Sequence, residues 1–226
     1  MHFFREKNLK SPHDNLFLNL PEYGSAERAE KIALLSSILQ DWANTTLPDM
    51  SSYCKTSEQS QWYSAEFGEH YRLINSLTKS LKLRRVIEVG SFTGMSALVW
   101  LLNRVSLTSI DIVSWRDFEE SVLSDSVVGE YLFSQKILNL LDDASFDLMC
   151  PEFLAADLIF LDGPKDGVFE QTVVPKLIDL LSGKGSWLLL DDIHLRAMKP
   201  CWDEIKNDKY DLSLIGHSSG TGLVKL

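Results

Sequence analysis

Residues 86–99 read Val-Ile-Glu-Val-Gly-Ser-Phe-Thr-Gly-Met-Ser-Ala-Leu-Val, an apolar strand that breaks at Gly90 and Gly94 and resumes at once as a helix. Val86, Ile87 and Val89 suit a buried strand, and the two glycines permit backbone conformations and close approaches that a Cβ would obstruct. In an open parallel α/β sheet, ligands bind at the carboxyl ends of strands, where the following helix presents unpaired N–H groups. Ser91, Thr93 and Ser96 add hydroxyls to that cradle. A dinucleotide fingerprint needs Gly-x-Gly-x-x-Gly, and Phe92 stands where its second glycine would let a pyrophosphate approach.

Working outward, apolar runs at 107–113, 136–141, 157–162, 186–191, 210–216 and 221–226 alternate with helical stretches. That alternation predicts a doubly wound, mostly parallel α/β sheet of seven strands. Only Gly216-His-Ser-Ser-Gly220 separates the last two runs, too short for a crossover helix, so the final pair is expected to be an antiparallel hairpin. Upstream, Ile32, Leu35, Leu39 and Trp42 recur at helical spacing between Ser25 and Thr46. Tyr63, Phe67, Tyr71, Ile74, Leu77 and Leu81 predict a second helix running up to the first strand. Residues 1–24, with Pro12, Pro21 and Gly24, read as an arm.

The carboxylates fall at informative places. Asp111 closes the second strand, where it can accept hydrogen bonds from both hydroxyls of a ribose. Asp162 ends the fourth strand, followed by Gly163-Pro164-Lys165-Asp166, and Asp191-Asp192 ends the fifth. A parallel sheet brings these acids to one rim, where their repulsion would raise one another's pKa. A divalent cation would resolve the conflict; oxygen ligands suit Mg²⁺ or Ca²⁺. Lys165 beside that cation would have its pKa lowered and serve as a general base. Asp142 and Asp143 follow the third run and are candidates to meet an adenine amino group.

Histidines add little. His2, His13 and His70 have no metal-like spacing, His217 falls in the last turn, and His194 could serve as an alternative base. Trp62, Trp115, Trp187 and Trp202 read as core or lid residues.

The chain has 226 residues, 45% of them hydrophobic, with a formal net charge of −10, enough for one substantial core. The acidic balance argues against a nucleic acid or an anionic membrane as partner. A small molecule is the expected substrate. Cys54, Cys150 and Cys201 are odd in number without CxxC spacing, so neither a disulfide framework nor a zinc site is suggested. No run approaches 18 apolar residues and no leader pattern opens the chain, which points to a cytoplasmic protein.

Glu88-x-Gly90-x-x-x-Gly94 resembles the cofactor loop of the class I S-adenosylmethionine-dependent methyltransferases. Phe67-Gly68 through Leu83, the 86–97 stretch, Phe160-Leu-Asp-Gly-Pro-Lys-Asp166, Lys176-Leu-Ile-Asp-Leu-Leu181 and Leu189-Leu-Asp-Asp192 together resemble the cation-dependent O-methyltransferases acting on catechols and caffeoyl-type phenols. The resemblance covers roughly 60–195 and implies a Rossmann-like methyltransferase domain over 25–226, with N-terminal helices over 25–83 and the core over 84–226. It implies that Glu88, Gly90, Ser91 and Ser96 contact or shape the S-adenosylmethionine site and that Asp111, with Asp162 nearby, completes it. It implies Asp162, Asp191 and Asp192 as ligands of Mg²⁺, Ca²⁺ or Mn²⁺, Lys165 with Asp162 in catalysis, and a hydroxylated small molecule as acceptor. Asp192 stands where that family commonly has Asn, and residues 114–150 match it poorly. A metal-independent methyltransferase, and a non-catalytic binding module dimerising through its N-terminal helices, are the alternatives.

Overall fold

The structure is a computed structural model that describes residues 24–64, 69–216 and 218–226. The arm up to residue 23, with His2 and His13, lies outside the described residues, as do Phe67, Gly68 and His217. In chain order the described elements are α1 (Ala26–Asn44), α2 (Ser57–Trp62), α3 (Glu69–Ser80), β1 (Arg85–Val89), α4 (Met95–Leu102), β2 (Ser106–Asp111), α5 (Asp125–Val128) and β3 (Phe133–Ile137). There follow α6 (Asp143–Ala155), β4 (Leu158–Leu161), α7 (Val168–Leu181), β5 (Trp187–Asp191), α8 (Lys199–Glu204), β6 (Lys209–Asp211) and β7 (Thr221–Lys225).

The seven strands form one sheet in the order β3-β2-β1-β4-β5-β7-β6. The first five are parallel, and β7 runs antiparallel to both β5 and β6, as the short final connection requires. Both faces of the central strands are covered, so they read as continuous apolar runs. Val86, Leu107, Leu158, Phe160 and Leu189 meet one core layer with Leu73, Leu77, Leu98 and Trp100 of α3 and α4. Ile87, Val89, Ile110, Ile159, Leu161, Leu188 and Leu190 meet the other, with Phe153, Val173 and Leu177 of α6 and α7. From β1 the chain winds outward to β2 and β3, then returns to β4 and β5 on the other side. The loops after β1 and β4 therefore part at a topological switch point, where a crevice opens.

The boundaries differ from the sequence expectation in four places. The helix expected from Tyr63 is two elements: Tyr63 caps the end of α2, whose start is fixed by a capping box between Thr56 and Gln59, and α3 begins at Glu69. In α1 the buried face runs through Leu35 and Ile38, while Ile32 is 41% exposed and belongs to the outer face. The third strand lies at Phe133–Ile137 instead of 136–141. Among the described residues it pairs only with β2, so polar Ser134, Gln135 and Lys136 suffice there and the apolar signal lies in the loop beyond. The sixth strand stops at Asp211, whose Oδ1 accepts the Ser213 N–H at 3.0 Å, an Asx turn that ends the run.

Candidate functional site

A cavity of about 960 Å³ opens at the carboxyl rim over the switch point. Its floor is the turn after β1. Gly90 has φ +102°, and a Cβ built there would stand 1.9 Å from the Asp162 carbonyl oxygen, so the loops after β1 and β4 touch at a point that admits glycine alone. Gly94 at φ +82° opens α4. Phe92 takes a left-handed φ of 42° and its exposed ring packs edge-on to Phe118, 5.0 Å between centroids.

Of the residues expected to form the cofactor site, Gly90, Ser91, Ser96, Asp111 and Asp162 line the cavity. Glu88 does not: it is fully buried behind the turn, on the face of β1 that meets α4. Ser96 Oγ donates to its Oε1 at 2.6 Å and Ser109 Oγ to its Oε2 at 2.9 Å. Burial pushes the Glu88 carboxyl from an ordinary 4.5 up to about 8, against the opposing pull of the two hydroxyls. Glu88 thus shapes the loop from beneath. Asp111 accepts four backbone N–H groups: Ser91 at 2.7 Å and Phe92 at 3.0 Å on Oδ2, Ile112 at 2.7 Å and Val113 at 3.2 Å on Oδ1. It ties the turn after β1 to the turn after β2, with its carboxylate at the cavity wall.

At the other end stands a cluster of charges. The loop holding Lys165 is anchored by Glu170, fully buried in the first turn of α7, whose oxygens accept the Lys165 N–H at 2.9 Å and the Gly167 N–H at 3.0 Å. The Lys165 ammonium contacts Asp162 Oδ1, lies 3.0 Å from Asp192 Oδ2 and 3.4 Å from Asp191 Oδ2. Burial by itself would lower the pKa of this lysine, but Asp162 and Asp191 push it well above the ordinary value. In this arrangement Lys165 is a hydrogen-bond donor and a positive charge, whereas the lowered pKa expected from the sequence is tied to a bound cation.

Asp162, Asp191 and Asp192, the expected cation ligands, all meet Lys165 here. His70, Asp162 and Asp191 each offer one ligand atom, and those three atoms lie within 4.8 Å of one another. His70 Nδ1 stands 3.4 Å from Asp191 Oδ1, a deeply buried oxygen without a hydrogen bond, and burial raises the Asp191 pKa while His70 opposes the rise. Asp192 is outside that trio: Ser219 Oγ donates to one oxygen, Lys165 holds the other, and its backbone sits at φ 59°. A buried carboxylate, a half-buried one and a buried imidazole, with net negative charge, are a donor set that fits a divalent cation.

Other candidates lie elsewhere. His194 Nε2 is 2.9 Å from Asp211 Oδ2, at the β6 end of the sheet and off the cavity wall. Asp142 caps α6 by accepting the Ser145 N–H at 2.9 Å, Asp143 pairs with Lys176, and the wall on that side is Leu138 to Leu141. Sequence reasoning missed Tyr71, read as part of an apolar helix face, and His70, set aside because its spacing to other histidines is not metal-like. Both sit where α3 crosses the rim, with His70 stacked 5.6 Å from Phe160 and the Tyr71 hydroxyl lining the cavity 3.7 Å from Met95 Sδ. Also unforeseen was α2, whose Gln59 Nε2 donates to the Glu120 carbonyl at 2.6 Å and which brings Thr56 and Trp62 over the opening.

No family model and no curated protein sequence matches the chain. Solved structures do. Cofactor-bound Rv0187 from MTB is similar at 17% identity, over 95% of this chain and 96% of that one, with a TM-score of 0.53. The O-methyltransferase TomG of Streptomyces achromogenes, involved in tomaymycin synthesis and solved with S-adenosylmethionine, is 17% identical over 84% of this chain and 96% of its own, TM-score 0.52. A methyltransferase from Geobacter sulfurreducens is 12% identical over 83% and 94%, TM-score 0.52. At such identities the likeness speaks for architecture, and the chain has the Rossmann-like, seven-stranded class I methyltransferase fold of these proteins.

Proposed function

We propose that the protein is an S-adenosylmethionine-dependent methyltransferase that transfers the methyl group to a hydroxyl of a small molecule, assisted by a divalent cation. One observation carries the reading. A single cavity runs from the Gly90 turn and Asp111, where a nucleoside and its ribose fit, to the Asp162 and Lys165 cluster, where a reacting oxygen fits. That the solved structures sharing this fold include an O-methyltransferase with S-adenosylmethionine bound supports the choice of donor.

Methyl transfer is an in-line displacement: an acceptor oxygen forms a bond to the methyl carbon, the carbon–sulfur bond breaks, and the sulfonium becomes a neutral thioether. The protein's part is to align the two reactants and to favour the deprotonated acceptor. Asp111 and the backbone of the Gly90 turn hold the donor. The Lys165 ammonium, anchored by Glu170, offers a fixed positive charge to the acceptor oxyanion. A cation held by Asp162, Asp191 and His70 would lower the pKa of an acceptor hydroxyl. Tyr71, Trp62 and the α2 segment close the acceptor side and limit water.

Calorimetric titration of the full chain with S-adenosylhomocysteine tests the reading, with micromolar affinity expected. A flat titration rules the donor out. Binding without turnover on any phenolic or other hydroxylated acceptor, with Mg²⁺ or Mn²⁺ supplied, leaves a binding module in its place.

A further inference from the structure

We propose that Gln135, on the edge strand β3, is a positioning residue for the methyl donor: its side-chain amide holds in register the two loops between which the donor would lie. The inference rests on the methyl-donor reading above. Gln135 Oε1 accepts the Trp115 N–H at 3.1 Å, while Nε2 donates to the Val113 carbonyl at 3.3 Å and to Ser91 Oγ at 2.9 Å. The backbone groups decide the amide's orientation, because Trp115 N–H can only donate and the Val113 carbonyl can only accept. The amide hydrogens therefore face Ser91, whose hydroxyl accepts from Gln135 and gives its own proton to Ser109 Oγ, 2.5 Å away. Ser109 in turn donates to buried Glu88. A continuous polar chain thus runs beneath the cavity from β3 across β2 to β1.

Asp111 ties the same two loops by their backbone N–H groups. Gln135 ties them by a different set of atoms, and from the neighbouring strand. Ser91, Phe92, Asp111 and Ile112 all line the cavity, so a small shift of either loop alters the place where the donor's sugar and base would rest. The side chain is only half-buried, and β3 is held to β2 by its own backbone ladder, so the strand does not need this amide in order to pair.

Gln135→Met keeps length and removes both polar ends; Ser91→Ala removes the hydroxyl it holds. Titrated with S-adenosylhomocysteine, each single variant is expected to bind about tenfold more weakly than wild type, about 1.4 kcal/mol. The double variant should lose little more than the worse single one, because both changes break one connection. KM for the donor should rise further than kcat falls. A purely structural role would instead lower the ligand-free melting temperature and leave affinity alone. Should Gln135→Met fail to fold, Gln135→Asn, one methylene too short to span both loops, asks the same question. Affinity within twofold of wild type in either Gln135 variant, or additive losses in the double variant, overturns the proposal while wild-type binding still supports the donor reading. A wild type that binds nothing overturns both.

Discussion

Lys165 Nζ lies 3.0 Å from Asp192 Oδ2, and the two residues, on loops after different strands, both hold left-handed backbone conformations, at φ 57° and φ 59°. Non-glycine residues in that region carry strain that the surrounding structure must hold in place, and such residues gather at functional sites. Here the ion pair joins the loop after β4, which lines the cavity, to the loop after β5. Lys165→Met leaves Asp162, Asp191 and Asp192 facing one another, two of them largely buried. We expect a loss of about 3 kcal/mol in urea unfolding and a fall of at least about a hundredfold in kcat/KM. Affinity for S-adenosylhomocysteine should change by less than about threefold. Equal losses in donor binding and turnover would show that the lysine serves the donor site instead.

Gly90→Ala places a methyl group against the Asp162 carbonyl at a separation of 1.9 Å, in a backbone conformation that alanine resists. Backbone cannot swing aside as a side chain does, so the two loops must part. Donor binding should vanish in calorimetry, with a stability loss of about 2 kcal/mol or more. Gly183→Ala, also at positive φ but with open space around its Cβ, separates the conformational cost from the collision. Near-normal donor binding in Gly90→Ala would refute the contact.

The strand–turn–helix at 86–99, the sheet and its antiparallel end were legible because they rest on patterns local to the chain: continuous apolar runs, paired glycines, and a connection too short to cross over. Asp111, Asp162 and Asp191 were legible because a parallel sheet brings its strand ends to one rim. His70 and Tyr71 were not, since a helix that packs beside a sheet shows only its apolar period, and nothing local marks the turn that crosses the rim. Gln135 was hidden for a related reason. Its partners Ser91, Val113 and Trp115 are brought to it by strand register, which a one-dimensional pattern does not contain. The acids by themselves raise the Lys165 pKa, and how closely three of them approach it is a distance that spacing along the chain leaves open.

Glu88 gives a pH dependence whose sign can be worked out. Its folded pKa, pushed up to about 8, exceeds the ordinary 4.5, so the native state holds more protons than the unfolded chain between those values. Its contribution to stability is therefore complete below 4.5 and declines as pH rises toward 8, with a limiting slope of about 1.4 kcal/mol per pH unit. Glu88→Gln stays neutral and lacks this slope. Urea unfolding at pH 5, 6, 7 and 8 should show the variant gaining on wild type as pH rises; a constant difference sinks the assignment.

Cation binding separates the two acid neighbours. With Mn²⁺ as the probe, followed by electron paramagnetic resonance, His70→Ala and Asp191→Asn should each weaken binding by about tenfold or more, since ligating side chains and their supports carry the affinity. Asp192→Asn, outside the trio, should stay within about threefold of wild type. A nitrogen hyperfine signal that disappears in His70→Ala would identify the imidazole directly. The reverse ranking, with Asp192 dominant, would return the site to the all-oxygen arrangement expected from sequence.

The charge around the cavity limits the acceptor. Among the described residues, Glu58, Asp111, Glu120, Asp162 and Asp166 line it against Lys165 alone, and that ammonium is already held by Asp162. S-adenosylmethionine carries a positive sulfonium and suits such a wall, whereas an acceptor bearing several phosphates meets repulsion on approach. A neutral or cationic catechol should therefore be methylated with kcat/KM at least about tenfold above a coenzyme A thioester of the same phenol. Raising salt from 50 to 300 mM should narrow that ratio by screening the exposed carboxylates. Glu58→Gln with Glu120→Gln should narrow it further without added salt. A thioester preferred at low salt would mean that its phosphates dock outside this acidic wall, and the acceptor class drawn from the lining would be wrong.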